Sequence, residues 1–280
     1  MADPLLSLPL YQVTFAVIDV ETTGLYPALG DAICEVAVLR GCDSRVLSQY
    51  QQLVDPGRPI SPEAYAVNRI SSDLLRGAPP FERIADQVLA CLEGAAVVAH
   101  NAPFDLSFLV AALEEAGRPI PHHPVVDTLA LARHCYGFPS NSLQALAGRL
   151  GIASARRHRA LSDVRATWRV LEFFIQDLQS RWGISTLGEL IRAQGGPIPW
   201  PRTLPREALP EVLVEALERR RPLYLRYCSP EGQVTERTVE PLRVGHYQGA
   251  LYLVARCLLR EERRTFRLDR ILEMRLSDLL

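Results

Sequence analysis

Lysine is absent from this 280-residue chain; all 31 basic residues are arginine. Acids number 32, so the formal net charge is −1, and no global basic surface exists to clamp a polyanion. The six cysteines (34, 42, 91, 135, 228, 257) are scattered and none forms a C-x-x-C pair. That excludes zinc fingers and ribbons and leaves a disulfide framework without a motif. No run reaches the length of uncharged apolar residues that a membrane span needs, so no membrane association is expected. The first twelve residues, MADPLLSLPLYQ, lack a basic segment and contain an early acid and two prolines, unlike a signal peptide. A reducing cytoplasm is the expected compartment. Internal repeats and low-complexity tracts are missing too.

What is present is an ordinary globular composition, 48% hydrophobic and 22% charged. A chain of this length buries about 70–75% of its extended surface and can hold one large domain or two unequal ones. Charge is not evenly divided. The first 205 residues carry 17 arginines against 20 acids, and the remaining 75 carry 14 against 12. Phosphate binding therefore has to come from local arginines, whose planar fork suits phosphate and base stacking, and from metal ions.

Periodicity divides the chain further. VTFAVIDV (13–20) reads as a buried central strand, broken by the glycines and proline of ETTGLYPALGD. Residues 32–40 and 44–54 follow as strands, which makes the first three an antiparallel meander. Ile84, Val88, Leu89 and Leu92 have helical spacing closed by Gly94. A strand over 95–100, a helix over 104–117 and a short strand over 124–128 come next. The remainder is helical, ending in a long helix near 160–179 with the apolar stripe Val164, Trp168, Leu171, Phe174, Ile175 and Leu178. Glycine and proline mark 181–205 as a linker that packs on a neighbour or hangs free. Beyond it, one amphipathic helix and four or five short strands predict a small half-barrel or sandwich. The expected division is 1–180, a linker over 181–205, and 206–280, with the first part folding on its own.

Certain carboxylates stand out. Asp19 and Glu21, two apart on a strand, point to the same face. Flexible carboxylates at that spacing can hold two cations about 3.5–4 Å apart, as in-line attack on phosphorus requires. Asp105 opens a helix, where an acid ordinarily compensates the helix dipole, and Asn101 has the position of a cap. His158 sits in an arginine-rich turn five residues before Asp163. Taken singly, each has an ordinary structural use.

Together, D-x-E-T-T-G, H-N-x-x-F-D and H-x-x-x-x-D occur in one order over one α/β unit. That order resembles the DEDDh branch of the 3′→5′ exonucleases, over about residues 12–180. AICEVAVLR, AYAVNRIS, VVDTLALAR and SLQALAGRLGI resemble the family as well. The resemblance implies an α/β fold, a ribonuclease-H-like mixed sheet flanked by helices. It implies that Asp19, Glu21, Asp105 and Asp163 coordinate two divalent ions, Mg²⁺ or Mn²⁺, with His158 as general base. Thr22 and Thr23 would hold the terminal nucleotide, Leu25 would wedge against the last bases, and Asn101 and Phe104 would line the pocket. The C-terminal part, RPLYLRYCSPEGQVTERTVEPLRVGHYQGALYLVARC followed by RRTFRLDRILEM, resembles a WYL domain, a small β-rich, Sm-like barrel. The tripeptide behind that name is here Leu251-Tyr252-Leu253, with the tryptophan replaced. Tyr252, Arg264, Arg267, Arg270 and His246 are the nucleic-acid or ligand contacts this resemblance implies.

The expected function is metal-dependent release of mononucleotides from single-stranded DNA or RNA with a free 3′ end, with a lean toward DNA. The WYL-like part would grip substrate or regulate activity. The rival is a nucleic-acid or nucleotide sensor with little turnover. Protein partners and a homo-oligomer are left open.

Overall fold

The computed structural model describes residues 3–152, 159–202, 204–259 and 261–277. The chain opens with β1 (Phe15–Thr22), β2 (Ile33–Cys42) and β3 (Arg45–Leu53). There follow α1 (Pro62–Asn68), α2 (Ala85–Leu92), β4 (Ala96–Ala99) and α3 (Ala102–Glu115). Next come β5 (Val125–Asp127), α4 (Thr128–Cys135), α5 (Leu143–Arg149), α6 (Ala160–Trp182) and α7 (Leu187–Ala193). The second part is α8 (Glu211–Arg219), β6 (Leu223–Cys228), β7 (Val234–Tyr247), β8 (Ala250–Cys257), β9 (Glu262–Arg267) and β10 (Ile271–Leu276). Among the described residues, no helix is long and apolar enough to cross a membrane.

The first sheet has the order β3-β2-β1-β4-β5. The expected meander is there: β1 pairs antiparallel with β2, and β2 with β3, while β4 and β5 join in parallel. Both faces of β1 are covered, which explains its near-continuous apolar run. Phe15 and Val17 pack toward Val164, Trp168, Leu171 and Phe174 of α6, the predicted stripe. Ala16, Ile18 and Val20 pack toward α2 and α3 on the other side. Asp19 and Glu21 extend the first of these rows past the end of the core. They therefore emerge where α6 begins, at the carboxyl end of the parallel pair β1 and β4. In open α/β sheets that end is where ligands bind.

The segment expected as a linker is largely packed. Thr186 and Glu189 close a reciprocal capping box on α7, and Leu187, Leu190 and Ile191 are buried in the α6-side core. Trp200 enters the core on the other face and donates to the His123 carbonyl, 2.9 Å. Gln194, only 2% exposed, accepts from the Asp127 N–H (2.8 Å) and donates to the Val125 carbonyl (3.0 Å). Its amide stands where another strand would pair, so it closes the open edge of β5.

The second sheet is antiparallel throughout, in the order β10-β6-β7-β8-β9. Leu213 and Ala216 of α8 pack on Leu223, Leu225, Val239, Leu253, Ala255 and Phe266 to form its core. The opposite face lies against the first part of the chain. Arg243 and Arg263 both reach Glu115 at the end of α3, at 2.7 Å each, and all three side chains are largely buried. Thr265 donates to the Leu29 carbonyl (2.8 Å), and Arg243 also donates to the Pro27 carbonyl. At Gly245 a β-carbon would stand 2.6 Å from the Ala28 backbone, so only glycine permits this approach. All six cysteines are free.

Candidate active site

Ligand atoms of Asp19, Glu21 and Asp163 all lie within 4.8 Å of one another. Two come from one strand by side-chain alternation; the third comes from the first turn of α6, 142 residues further along. Asp105 is not one of that group of three. It is buried in the first turn of α3, and its Oδ1 accepts from the Val20 N–H at 3.0 Å, between the two acids of β1. The expected dipole-compensating acid thus also pins the strand that carries the site.

The electrostatics are those of a site short of positive charge. Burial is the largest cause holding Glu21 up to about 8, followed by the charges of Asp163, Glu35 and Asp105. Asp19 is pushed well above the usual carboxylate range by burial and then by Asp105, Glu21 and Asp163. Asp105 is raised to about 8, mainly by burial and against the hydrogen bond from Val20. Uncompensated carboxylates in such surroundings hold protons; a cation among them would replace the protons. An all-oxygen donor set fits a hard divalent ion such as Mg²⁺ or Mn²⁺.

His158 lies outside the described residues, but the residue after it is fixed. Arg159 binds Glu35 through Nη2 (2.7 Å) and Nε (3.0 Å), and the Ala160 N–H adds a third bond at 3.1 Å. Glu35 is fully buried on β2, directly opposite Glu21, and takes a further bond from Gln51 at 2.6 Å. Sequence reading passed over Glu35. Its signal was legible: one acid inside the apolar strand AICEVAVLR requires a buried partner.

The turn after β1 is tied together internally. Thr22 donates to the Gly24 carbonyl (2.6 Å), and Thr23 Oγ1 accepts from the Ala32 N–H (3.1 Å). Asp31 accepts from the Tyr26 N–H (3.0 Å) and pairs with Arg58 (3.1 Å). A β-carbon on Gly24 would fall 2.3 Å from the Asp31 carboxylate, so this turn needs glycine there. Asn68 supports the turn from below, donating to the Thr22 carbonyl at 3.2 Å. The threonine hydroxyls thus have partners within the turn, while Leu25 is 64% exposed. Asn101 occupies the cap position of α3 in the left-handed region, φ 74°, held by its N–H to Asp127 (2.9 Å). Its side chain makes no capping bond, contrary to a simple cap reading. Phe104 is half-buried against Phe108, ring centroids 5.1 Å apart.

On the second sheet, Tyr252 opposes Arg267 in register. Arg267 pairs with Asp269 (2.8 Å), and Arg264 pairs with Glu262. His246 is exposed near the end of β7, and Arg270 follows β9 in a single helical turn. These residues lie on or beside the sheet that docks against the turn after β1.

A mixed five-stranded sheet flanked by helices, with clustered acids at the carboxyl end of its central strand, is the ribonuclease-H-like architecture of DEDDh exonucleases. The family model described as Exonuclease matches residues 16–171 and that described as WYL domain matches 208–276. The chain belongs to the exonuclease family and carries a C-terminal WYL domain. The DNA polymerase III PolC-type of Streptococcus suis is 34% identical over 182 residues, 65% of this chain and 12% of that protein. That of Thermotoga petrophila is 34% identical over 177 residues, 63% of this chain and 13% of that protein. The chain spans about an eighth of the length of these curated relatives. Escherichia coli exonuclease I in complex with a dT13 oligonucleotide superposes with a TM-score of 0.56 at 20% identity, covering 87% of this chain and 55% of that one. The nuclease domain of 3′hExo, a DEDDh family member, bound to rAMP, gives 0.52 at 18%, covering 60% and 94%. These two likenesses are of fold.

Proposed function

We propose that this chain is a metal-dependent 3′→5′ exonuclease that releases mononucleotides from single-stranded nucleic acid, DNA in preference to RNA. The observation that carries the reading is the convergence of Asp19, Glu21 and Asp163, with Asp105 bonded to the backbone between the first two. The four carboxylates would hold two divalent ions, Mg²⁺ or Mn²⁺. When bound, these supply charge stabilisation at the attacking and leaving oxygens of an in-line displacement.

The chain's own residues do the rest. His158 takes the proton of the attacking water; an imidazole of ordinary pKa near 6.5 is suited to that at neutral pH. Arg159, clamped by Glu35, fixes the chain where it enters α6. The backbone of the turn at Thr22 and Thr23 receives the terminal nucleotide. Leu25, exposed in that turn, wedges between the terminal base and its neighbour. Asn101 and Phe104 line the pocket from the start of α3. The preference for DNA is supported by relatives that are DNA polymerases and by a fold neighbour in complex with dT13. The WYL domain, through Tyr252, Arg264, Arg267, Arg270 and His246, contacts the strand or regulates its use.

The test is release of mononucleotides from matched labelled DNA and RNA strands with Mg²⁺ or Mn²⁺, for the parent and for Asp19→Asn. Metal-dependent release that the substitution abolishes is expected. Tight binding with no release by the parent under any metal would make the chain a sensor instead.

A further inference from the structure

Side chains directly opposed in an antiparallel sheet share a face, and the register of β7, β8 and β9 therefore sorts the second sheet. Gly245 and Tyr247 of β7, Tyr252 and Val254 of β8, and Arg263, Thr265 and Arg267 of β9 lie on one face. The middle of that face is covered. Gly245 abuts Ala28, Thr265 bonds the Leu29 carbonyl, and Arg263 is held by Glu115. All of those contacts fall on residues 27–30, directly after Leu25 and Tyr26, or on the end of α3. The part of the face beyond this seam is aromatic. Tyr247 meets Tyr26 across the seam with ring centroids 5.0 Å apart and planes tilted by 57°. Tyr252 is the diagonal neighbour of Tyr247 on this face and lies directly opposite Arg267. Tyr26 remains 44% exposed.

From these positions we propose that Leu25, Tyr26, Tyr247 and Tyr252 form one stacking path across the domain seam, which takes the single-stranded nucleotides that precede the 3′-terminal one. This deepens the proposed function and rests on it for the polarity of the strand. Successive bases present π-faces, which aromatic rings accept without regard to sequence. A turn loose enough to move would place Tyr26 and Tyr247 in no fixed relation. Here the buried Glu115 pair of arginines and the Gly245 contact fix the sheet to the turn, so the path is built before substrate arrives. Arg267 stands at its far end. Its partner Asp269 is exposed, and an exposed ion pair is weak enough to yield to a phosphate.

The experiment uses the full chain with Tyr247→Ala and Tyr247→Phe. The first reading is the ratio of kcat/KM on a fifteen-nucleotide DNA strand to that on a dinucleotide. Tyr247→Ala should lower this ratio by about 10-fold, through KM on the long strand, while Tyr247→Phe keeps it, because stacking needs the ring and not the hydroxyl. The second reading needs no turnover. In an Asp19→Asn background, a fifteen-nucleotide strand carrying 2-aminopurine near its 3′ end should lose fluorescence on binding. That loss should shrink with Tyr247→Ala and persist with Tyr247→Phe. An unchanged ratio and unchanged quenching in Tyr247→Ala overturn the path. Because quenching is read without cleavage, a chain that proves not to be a nuclease still tests it.

Discussion

At the scale of single residues, the site is defined by what its acids lack. Asp19, Glu21 and Asp163 lie close enough to share a cation, and for Asp19 and Glu21 protonation is the alternative way to relieve the repulsion. Asp19, Glu21 and Asp163 were legible in the sequence because strand alternation and the order of three motifs leave little freedom. Glu35 was legible only as a buried acid in need of a partner; nothing in its strand announces that Arg159, 124 residues away, supplies it. A testable consequence follows for the protein without metal. Glu21 ordinarily titrates at 4.5 and Asp105 at 3.8, and both are raised to about 8 in the fold. The folded state therefore binds more protons than the unfolded chain between those values. Their contribution to stability is full below the unfolded values and is lost as pH rises toward 8. In chelator, the melting temperature should fall from about pH 5 to pH 8 through these groups. Added Mg²⁺ or Mn²⁺ should raise it more at pH 8 than at pH 5. Calorimetry checks this; a metal increment that is equal at both pH values contradicts it.

At the scale of elements, the placement of α6 decides whether the site exists. Its stripe buries it along β1, and its first turn must then stop where Asp163 reaches Asp19 and Glu21. Two devices set that end: the capping Arg159–Glu35 pair on one side, and the apolar contacts of Val164 and Trp168 on the other. Without Glu35, Arg159, 29% exposed, can turn to water, but the buried Ala160 N–H loses its acceptor, at a cost of about 1–3 kcal/mol. Glu35→Ala should lose stability of that order by urea unfolding, and its kcat should fall although no proposed contact to substrate is touched. A stable variant with parental kcat would show that Arg159 does not govern the start of α6. The meander, the α6 stripe and the strands of the second sheet were readable from periodicity. The helix α7 was not, because its seven residues sit between glycines and prolines that read as a linker. Its cohesion comes from a capping box and from Gln194, whose amide replaces a missing strand. Neither has a periodic signature.

At the scale of the whole molecule, the boundary between the two parts follows burial rather than composition. A fragment ending at 180 would strip Leu187, Leu190, Ile191 and Trp200 from their cores, each worth roughly 1.5–3 kcal/mol, and would uncover the β5 edge. The self-sufficient unit is therefore proposed to be 1–202 rather than 1–180. Expressed separately, 1–202 should melt cooperatively and 1–180 should not; cooperative melting of both would show that α7 is dispensable. The WYL domain then adds its docked face to the turn whose residues are proposed to face the nucleotide. Part of the sheet that resemblance suggested as a ligand surface is used here to hold the nuclease. The register of Gly245 against Tyr252 makes that visible only once the two parts are placed together.

The central claim is that the acids at the end of β1 act on a free 3′ end with divalent metal. It is tested most directly by digesting a labelled single strand blocked at its 3′ terminus beside the same strand blocked at its 5′ terminus, with Mg²⁺ and with chelator. Mononucleotide release is expected from the 5′-blocked strand alone, and only with metal. Cleavage of the 3′-blocked strand, or of a closed circular strand, would contradict it.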